Sequence, residues 1–455
     1  MSHYSHQLET ARTSAGVTGA SFAYWDGERL QTAQAGLRNS VTGDPVTVDT
    51  LMQLGSITKV MNAVLLMQLV EEGAIALEEP VTKYLPELQL RDREALPRIT
   101  CGMLLNHTSG INGDWLPEYG PDQERIVDTV QRCAELDQLH APGEATSYCN
   151  VATVIAGYLT QKLRGESWYT LVKRRIYEPL GLEHALVDPL DVPRFRCSVG
   201  DIVDYRTGEL TQTKRPCLAP SLAPAGSTQW MSAVDLVTFA RALISGGVGP
   251  SGARILSTTA AERMMRPTSE FAHPEGRKMG LGWMILPGGV VNHGGGGRGV
   301  LSQLYAHPAS GRAVALLTNS DLGAALHLPI LAPVLESWTG VKSQAVEHRI
   351  PRPDTRPYEG IYENNLMRFE VRVTQSGLTL HQDINGQKMA DLFEVSQAAT
   401  ATLHHLGDHL FETEYSIRAM PRGQIRFVRP DASGRMQFLA TGPRLLKRSA
   451  GNAAQ

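Results

Sequence analysis

The sequence predicts an α+β protein: one antiparallel sheet covered by helices, followed by a small all-β barrel. Three observations carry this. Strand-like text sits at both ends of residues 1–340, with helical text between. A polar stretch with three prolines, residues 341–357, then reads as a linker. Residues 358–455 alternate through short strands separated by turn signals, the pattern of a barrel or sandwich.

The elements follow in order. Val17 to Leu37 alternates apolar and polar residues around Asp26-Gly27 and predicts a hairpin, GASFAYW then RLQTAQAGL. After Gly55, SITKVMNAVLLMQLVEEG is apolar on nearly every face, so it predicts a helix inside the protein. From Ala74 to Pro224, helical pieces are broken by Pro and Gly. Ser232 with Asp235 predicts a capping box opening LVTFARALISGG. GLGWMIL, VLSQLYA and RAVALLT read as strands, and Leu322 to Trp338 as helical. The economical packing is a single sheet drawn from both ends of this region, with a mostly helical insertion. In the last part YEGIYE, FEVRVT, LTLHQ, YSIRAM, QIRFV and QFLAT are the expected strands.

Composition narrows the function. The 455 residues are 42% hydrophobic and 20% charged, enough to bury a core and too apolar for disorder. Forty-three basic and 46 acidic side chains leave a net charge of −3, with no footprint for nucleic acid or an anionic membrane surface. No apolar run is long enough to span a bilayer, and MSHYSHQLETARTSAG has no basic or apolar leader region, so a cytoplasmic address is expected. Five cysteines without C-x-x-C spacing suggest buried free thiols rather than disulfides or zinc.

Ser56 and Lys59 are three apart on a helix and can touch. Serine needs a base, and a desolvated lysine can become one. This is the only Ser-x-x-Lys in the chain, and its lysine lies on a helix with hardly any polar face. An N-cap serine beside a surface lysine is the structural alternative. Tyr148 and Asn150, two apart before a helix, can face one cleft, a tyrosinate or a hydrogen-bonded phenol relaying the serine's proton and the amide holding the lysine and a carbonyl. Cys149 then faces away. Tyr362-Glu363-Asn364 repeats the spelling and shows how little it means alone.

The run His293-Gly294-Gly295-Gly296-Gly297 lets a strand approach a ligand closely and offers bare N–H groups to an oxyanion. Gly294, Gly296 and Gly299 spell G-x-G-x-x-G, but strand-like text follows instead of a helix, so a dinucleotide site is rejected. There is no G-x-S-x-G elbow. His404, His405 and His409 suggest a solvated turn rather than a metal site, and His107 a satisfied structural histidine. No cofactor and no metal are expected.

Taken in order, DTLMQLGSITK, LLNHTSGI, PGEATSYCN, PAGSTQWMSAVDL and HGGGG resemble the serine β-lactamase and penicillin-binding-protein superfamily, in its class C, D-aminopeptidase and esterase branch. The resemblance implies a β-lactamase/transpeptidase-like fold over residues 1–340. It makes Ser56 the acylated nucleophile, Lys59 its base, Tyr148 and Asn150 the second motif and His293-Gly294-Gly295 the third. Ser56 and Gly296 would supply the oxyanion N–H groups, with Gly226 and Gly295 against the substrate. Where many members carry a lysine, His293 would be charged only part of the time near neutrality. The chain is further similar to penicillin-binding-protein-type thioesterases, which release and cyclise nonribosomal peptides and carry one lipocalin-like domain after the catalytic one. By that likeness residues 358–455 form a lipocalin-like barrel, Arg444 or Arg448 reaches the site, and the partners are a peptide or ester substrate and a peptidyl carrier protein. A D-aminopeptidase or amidase, a small-ester esterase and a catalytically silent binding module are the alternatives.

Overall fold

Alternation in the N-terminal hairpin builds the first two strands, Gly19–Trp25 and Leu30–Asn39, paired Ala23 to Thr32. The computed structural model describes residues 3–114, 125–204, 207–272, 276–341, 354–375, 377–384, 399–415 and 423–449. The hairpin joins a nine-stranded antiparallel sheet. Its order is Asp44–Pro45, Leu30–Asn39, Gly19–Trp25, Arg312–Thr318, Val300–His307, Val291–Gly297, Met284–Ile285, Lys278–Met279 and Ser269–Glu270. The sheet is thus made from both ends of the region, as the strand text predicts.

Period-two alternation sorts the two faces. Ala23, Ala313, Ala315 and Leu317 face the larger core, with the helices Thr58–Glu71, Asn150–Arg164 and Ala233–Ile244. Phe22, Tyr24, Val314 and Leu316 face the other, under the helices His3–Ala15 and Ala332–Thr339. Small alanines on the inner face let helices pack directly on the sheet. Helix Thr58–Glu71 is buried from Thr58 to Leu69, in keeping with its lack of a polar face. Ser232 Oγ accepts from Asp235 N at 3.1 Å, while the Asp235 carboxylate accepts from His184 N, so only half of the expected capping box forms.

Three elements differ from the sequence expectation. Helix His3–Ala15 was not anticipated; it buries Leu8 and rests Tyr4, Ala11 and Ala15 on the second core. The Leu322–Trp338 stretch is broken into a 3-10 turn, a π turn His327–Leu331 and a short α-helix, because Pro329 and Pro333 lack the N–H a continuous helix needs. GLGWMIL contributes only Met284–Ile285, since Gly282 turns the chain at φ +82°.

Residues 360–448 close an eight-stranded antiparallel barrel, the first strand pairing with the last at Tyr362 and Arg448. Eight strands leave an interior that side chains can fill, here Tyr358, Tyr362, Phe369, Leu380, Phe411 and Phe427 among others. Most of the anticipated linker, residues 342–353, and most of YSIRAM lie outside the described residues. Strands Ala399–Gly407, Leu410–Tyr415 and Arg444–Arg448 add to those anticipated. His404 and His405 therefore sit on a strand rather than in a turn; His404 Nε2 pairs with Glu414 at 2.7 Å, and His409 Nδ1 with the Tyr358 hydroxyl at 2.8 Å. No helix among the described residues is long and apolar enough to cross a membrane.

The barrel is fastened to the sheet-and-helix part through backbone. Tyr148 N donates to Pro443 O at 2.9 Å, Leu445 N to Ser147 Oγ at 3.1 Å and Asn365 N to Asn112 Oδ1 at 3.0 Å. Leu139 packs with Phe438, Ala440 and Leu445 beneath these bonds. The last barrel hairpin, Met436–Thr441 into Arg444–Arg448, is thereby held against the second sequence motif.

Candidate active site

Ser56 sits in a 3-10 turn, Gly55–Ile57, that runs straight into helix Thr58–Glu71. Three backbone approaches hold this turn, and each needs a missing side chain. Gly55, at φ +53°, lies against the main chain of Gly296; a methyl there would stand 2.7 Å from Gly296 N. A side chain on Gly295 would overlap Leu54 O, which accepts from Ser302 Oγ at 2.6 Å. One on Gly226, at φ +119°, would overlap Gly55 O. The glycine run is thus a surface onto which the turn docks directly.

Lys59 Nζ lies 3.0 Å from Ser56 Oγ and donates to Ala225 O at 2.6 Å. The lysine is 2% exposed, and among the described residues no carboxylate bonds it. Burial, helped by the nearby Arg444 charge, holds its pKa well below the ordinary lysine value; Asp114 opposes only in part. Its Nζ stands 4.8 Å from the Tyr148 ring centre. Burial raises the Tyr148 pKa well above the usual tyrosine range, offset partly by a hydrogen bond with Ser56 and by Arg444, so the group present is the phenol and not a tyrosinate.

Helix Asn150–Arg164 fixes the second motif. Cys149 caps it, its Sγ accepting from Ala152 N at 3.3 Å, and burial raises the thiol pKa to about 12. Cys149 is a structural thiol facing away from the cleft. His107, at φ +60°, accepts from Cys149 N on Nδ1 at 3.2 Å and packs its ring, tilted by 36°, 4.4 Å from that of Tyr148, so it supports the tyrosine from behind. Its buried Nε2 has no partner among the described residues, which leaves it only half satisfied there.

Two site residues depart from the sequence reading. Asn150 gives its amide to Asp114 Oδ1 at 2.9 Å, where the lysine was anticipated as its partner. His293 is not a part-time cation. Its Nδ1 is 2.6 Å from Gly294 O, an acceptor, so the proton sits on Nδ1 and the buried Nε2 is a bare lone pair without a partner among the described residues. Burial, reinforced by the Lys59 charge, pushes its pKa down to about 3. At neutral pH His293 offers the cleft an acceptor.

Asp114 was missed. It is 3% exposed and ties Asn150 to Arg444, whose Nε bonds Asp114 Oδ2 and whose guanidinium carbon stands 4.8 Å above the Tyr148 ring. No local pattern marks it, because its partner lies 330 positions away. Of the two arginines left open by sequence, Arg444 lines the cleft. Arg448 instead binds Pro357 O and Glu359 O and lies near the Tyr362 ring, within the barrel.

Ser56, Tyr148, Asn150, Gly226, His293, Gly295, Gly296 and Arg444 all line one cleft of about 700 Å³, with Lys59 beneath its floor. A nucleophile, a buried amine, a phenol, close-packed glycine backbone and the Asp114-held cation Arg444 suit acyl transfer through a serine ester.

Comparison with known proteins agrees. The beta-lactamase family model matches residues 6–330. Penicillin-binding protein 4 of Amycolatopsis lactamdurans is 32% identical over 372 residues, which cover 79% of this chain and 97% of that protein. The crystal structure of SurE superposes with a TM-score of 0.73 at 26% identity, covering 98% of both chains. A D-stereospecific amidohydrolase from Streptomyces sp. superposes with a TM-score of 0.57 at 28% identity, over 73% of this chain and 99% of that one. The fold, the cleft and these likenesses converge: the chain belongs to the β-lactamase family and is a serine hydrolase of the β-lactamase and penicillin-binding-protein superfamily.

Proposed function

We propose that Ser56, Lys59 and Tyr148 form an acyl-enzyme centre for peptide esters, thioesters or amides, and that its natural reaction releases and head-to-tail cyclises a nonribosomal peptide. The carrying observation is the 3.0 Å approach of Lys59 Nζ to Ser56 Oγ by an amine whose charged form burial disfavours. Neutral Lys59 takes the Ser56 proton as Oγ attacks the carbonyl, and the N–H groups of Ser56 and Gly296 hold the oxyanion. Tyr148 passes the proton to the leaving group, and an amine or water then resolves the ester. Arg444 is the cation for a substrate carboxylate or carbonyl, held by Asp114.

Two observations favour the cyclising thioesterase. A closed barrel follows the catalytic part, the arrangement by which the chain resembles penicillin-binding-protein-type thioesterases, and the likeness to SurE covers 98% of the chain, barrel included, whereas the amidohydrolase match covers 73%. The barrel also delivers Arg444 to the cleft, with Leu366, Gly442 and Pro443 beside it, so the barrel acts as part of the site. SurE has been solved with D-Leu, which favours a D-residue at one end of the substrate. A peptidyl carrier protein is the donor this reading implies. The second reading, a D-amino acid amidase or D-aminopeptidase, is favoured by the amidohydrolase likeness. A peptidyl thioester with a free N-terminal amine separates them: cyclic peptide as main product supports the proposal. Linear acid alone, with turnover of D-aminoacyl amides, rejects it in favour of the second.

A further inference from the structure

The cleft does not end at Ser56. Strand Val291–Gly297 turns Gly295 toward the nucleophile turn, so Asn292, Gly294 and Gly296 belong to the opposite face of the sheet. There they stand in register with Tyr305, Gln303 and Leu301, and Gln303 in turn with Leu316. This is the face that carries the second core. At two of these positions nothing blocks the way. A Cβ on Gly296 would meet nothing closer than 3.9 Å, and one on Gly294 only the flexible end of Gln303 at 3.2 Å. The cavity that holds Ser56 therefore continues past the bare strand into an annex. Its walls are Leu286, Leu301, Tyr305, Leu316 and Leu331, joined by the polar side chains of Gln303 and His327, with exposed Ala324 at the rim.

Two features distinguish the annex from a packing gap. Asn292 lines it, is 7% exposed, and its Oδ1 has no hydrogen-bond partner among the described residues. A buried amide oxygen is costly when left unpaired, so it calls for a donor from the ligand. The segment covering the annex also contains the π turn His327–Leu331, a widening of the helix that recurs at functional sites.

We propose that this annex is a side-chain subsite: it takes a branched aliphatic or aromatic side chain of the peptide substrate, and Asn292 Oδ1 accepts an amide N–H beside it. The proposal rests on the acyl-enzyme reading above. Mainly apolar walls, with only the uncharged polar groups of Asn292 and Gln303 and the His327 ring among them, disfavour charged side chains, which would be desolvated without an opposite charge. A small side chain fits but leaves the walls wet.

The test uses the full chain and peptidyl thioesters of one length, in which the thioester-bearing residue or the one before it is Ala, Leu or Phe. Adducts at Ser56 are followed by intact mass in parallel. Wild-type protein should favour Leu or Phe over Ala by about tenfold or more in kcat/KM at one of the two positions. Ala324→Trp, which fills the annex from its rim, should cut that ratio by about fivefold, and Leu301→Ala should move the preference toward Phe. Asn292→Leu should raise KM for the preferred donor with little change in kcat. Acylation of Ser56 with wild-type ratios in all three variants overturns the annex while leaving the acyl-enzyme intact. Absence of any Ser56 adduct overturns both.

Discussion

Replacing Asp114 by alanine removes the group that holds Arg444 over the cleft, and the structure sets the size of the loss. The Asp114 carboxylate is 3% exposed and accepts from Asn150 Nδ2 at 2.9 Å, Arg444 Nε and Arg444 Nη2 at 3.4 Å. Breaking a buried ion pair from one side costs about 3–5 kcal/mol. The Arg444 side chain keeps 23% exposure and regains some hydration when released, which lowers the figure. We therefore expect about 2–3 kcal/mol, or roughly 30- to 150-fold in kcat/KM, expressed more in KM than in kcat. The hairpin itself should stay docked, because Tyr148 N to Pro443 O and Leu445 N to Ser147 Oγ are untouched. The assay is a double-mutant cycle with an aryl ester and a peptidyl thioester. Arg444→Met should cost about as much as Asp114→Ala, and the double variant no more than either. Additive losses, or normal KM in Asp114→Ala beside an impaired Arg444→Met, would refute a positioning role for Asp114.

Other outcomes follow from the same geometry. Lys59→Met should abolish acylation, since the other group bonded to Ser56, the Tyr148 phenol, is kept protonated by burial; adduct formation at a near wild-type rate would remove the base assignment. The catalytic amine must be neutral and burial lowers its pKa, so kcat/KM should rise with pH through a limb well below the usual lysine value. His293→Ala should change the height of that profile and not its shape between pH 6 and 9, because the ring is already neutral there. His293 also makes a stability prediction. Its folded pKa of about 3 lies below the unfolded value near 6.5, so its contribution is complete above pH 6.5 and is lost as pH falls toward 3. That amounts to about 3 kcal/mol at pH 4.5, and a His293→Gln variant should lose less Tm than wild type between pH 7 and 4.5. Equal losses would contradict it. Gly295→Ala would place a methyl on Leu54 O and should displace the nucleophile turn. Wild-type Tm and activity in that variant would show that the turn can retreat freely.

Much of this was legible in the sequence because the information is local. Ser56 and Lys59 share one helical turn, the alternation of GASFAYW writes its own strand, and the runs of glycine announce close backbone approach. What was missed depends on distance along the chain or on burial. Asp114 carries no local mark, and its meaning comes from Arg444 alone. The choice between Arg444 and Arg448 turned on which end of a five-residue strand meets the Tyr148 loop. His293 could be read as partly charged only until its burial and its bond to Gly294 O were seen. Helix His3–Ala15 hides because its contacts, Tyr4, Leu8, Ala11 and Ala15, are few and small, although their spacing is helical.

The central claim is that Ser56 carries the acyl group. Intact-protein mass spectrometry after brief exposure to a simple aryl ester, D-aminoacyl amides and a peptidyl thioester, each beside Ser56→Ala, tests it most directly. The account predicts a mass increase equal to the acyl group, mapping to Ser56 and absent from the alanine variant. A folded wild-type protein that gains no mass and turns over no donor, or an adduct that persists in Ser56→Ala, would contradict it.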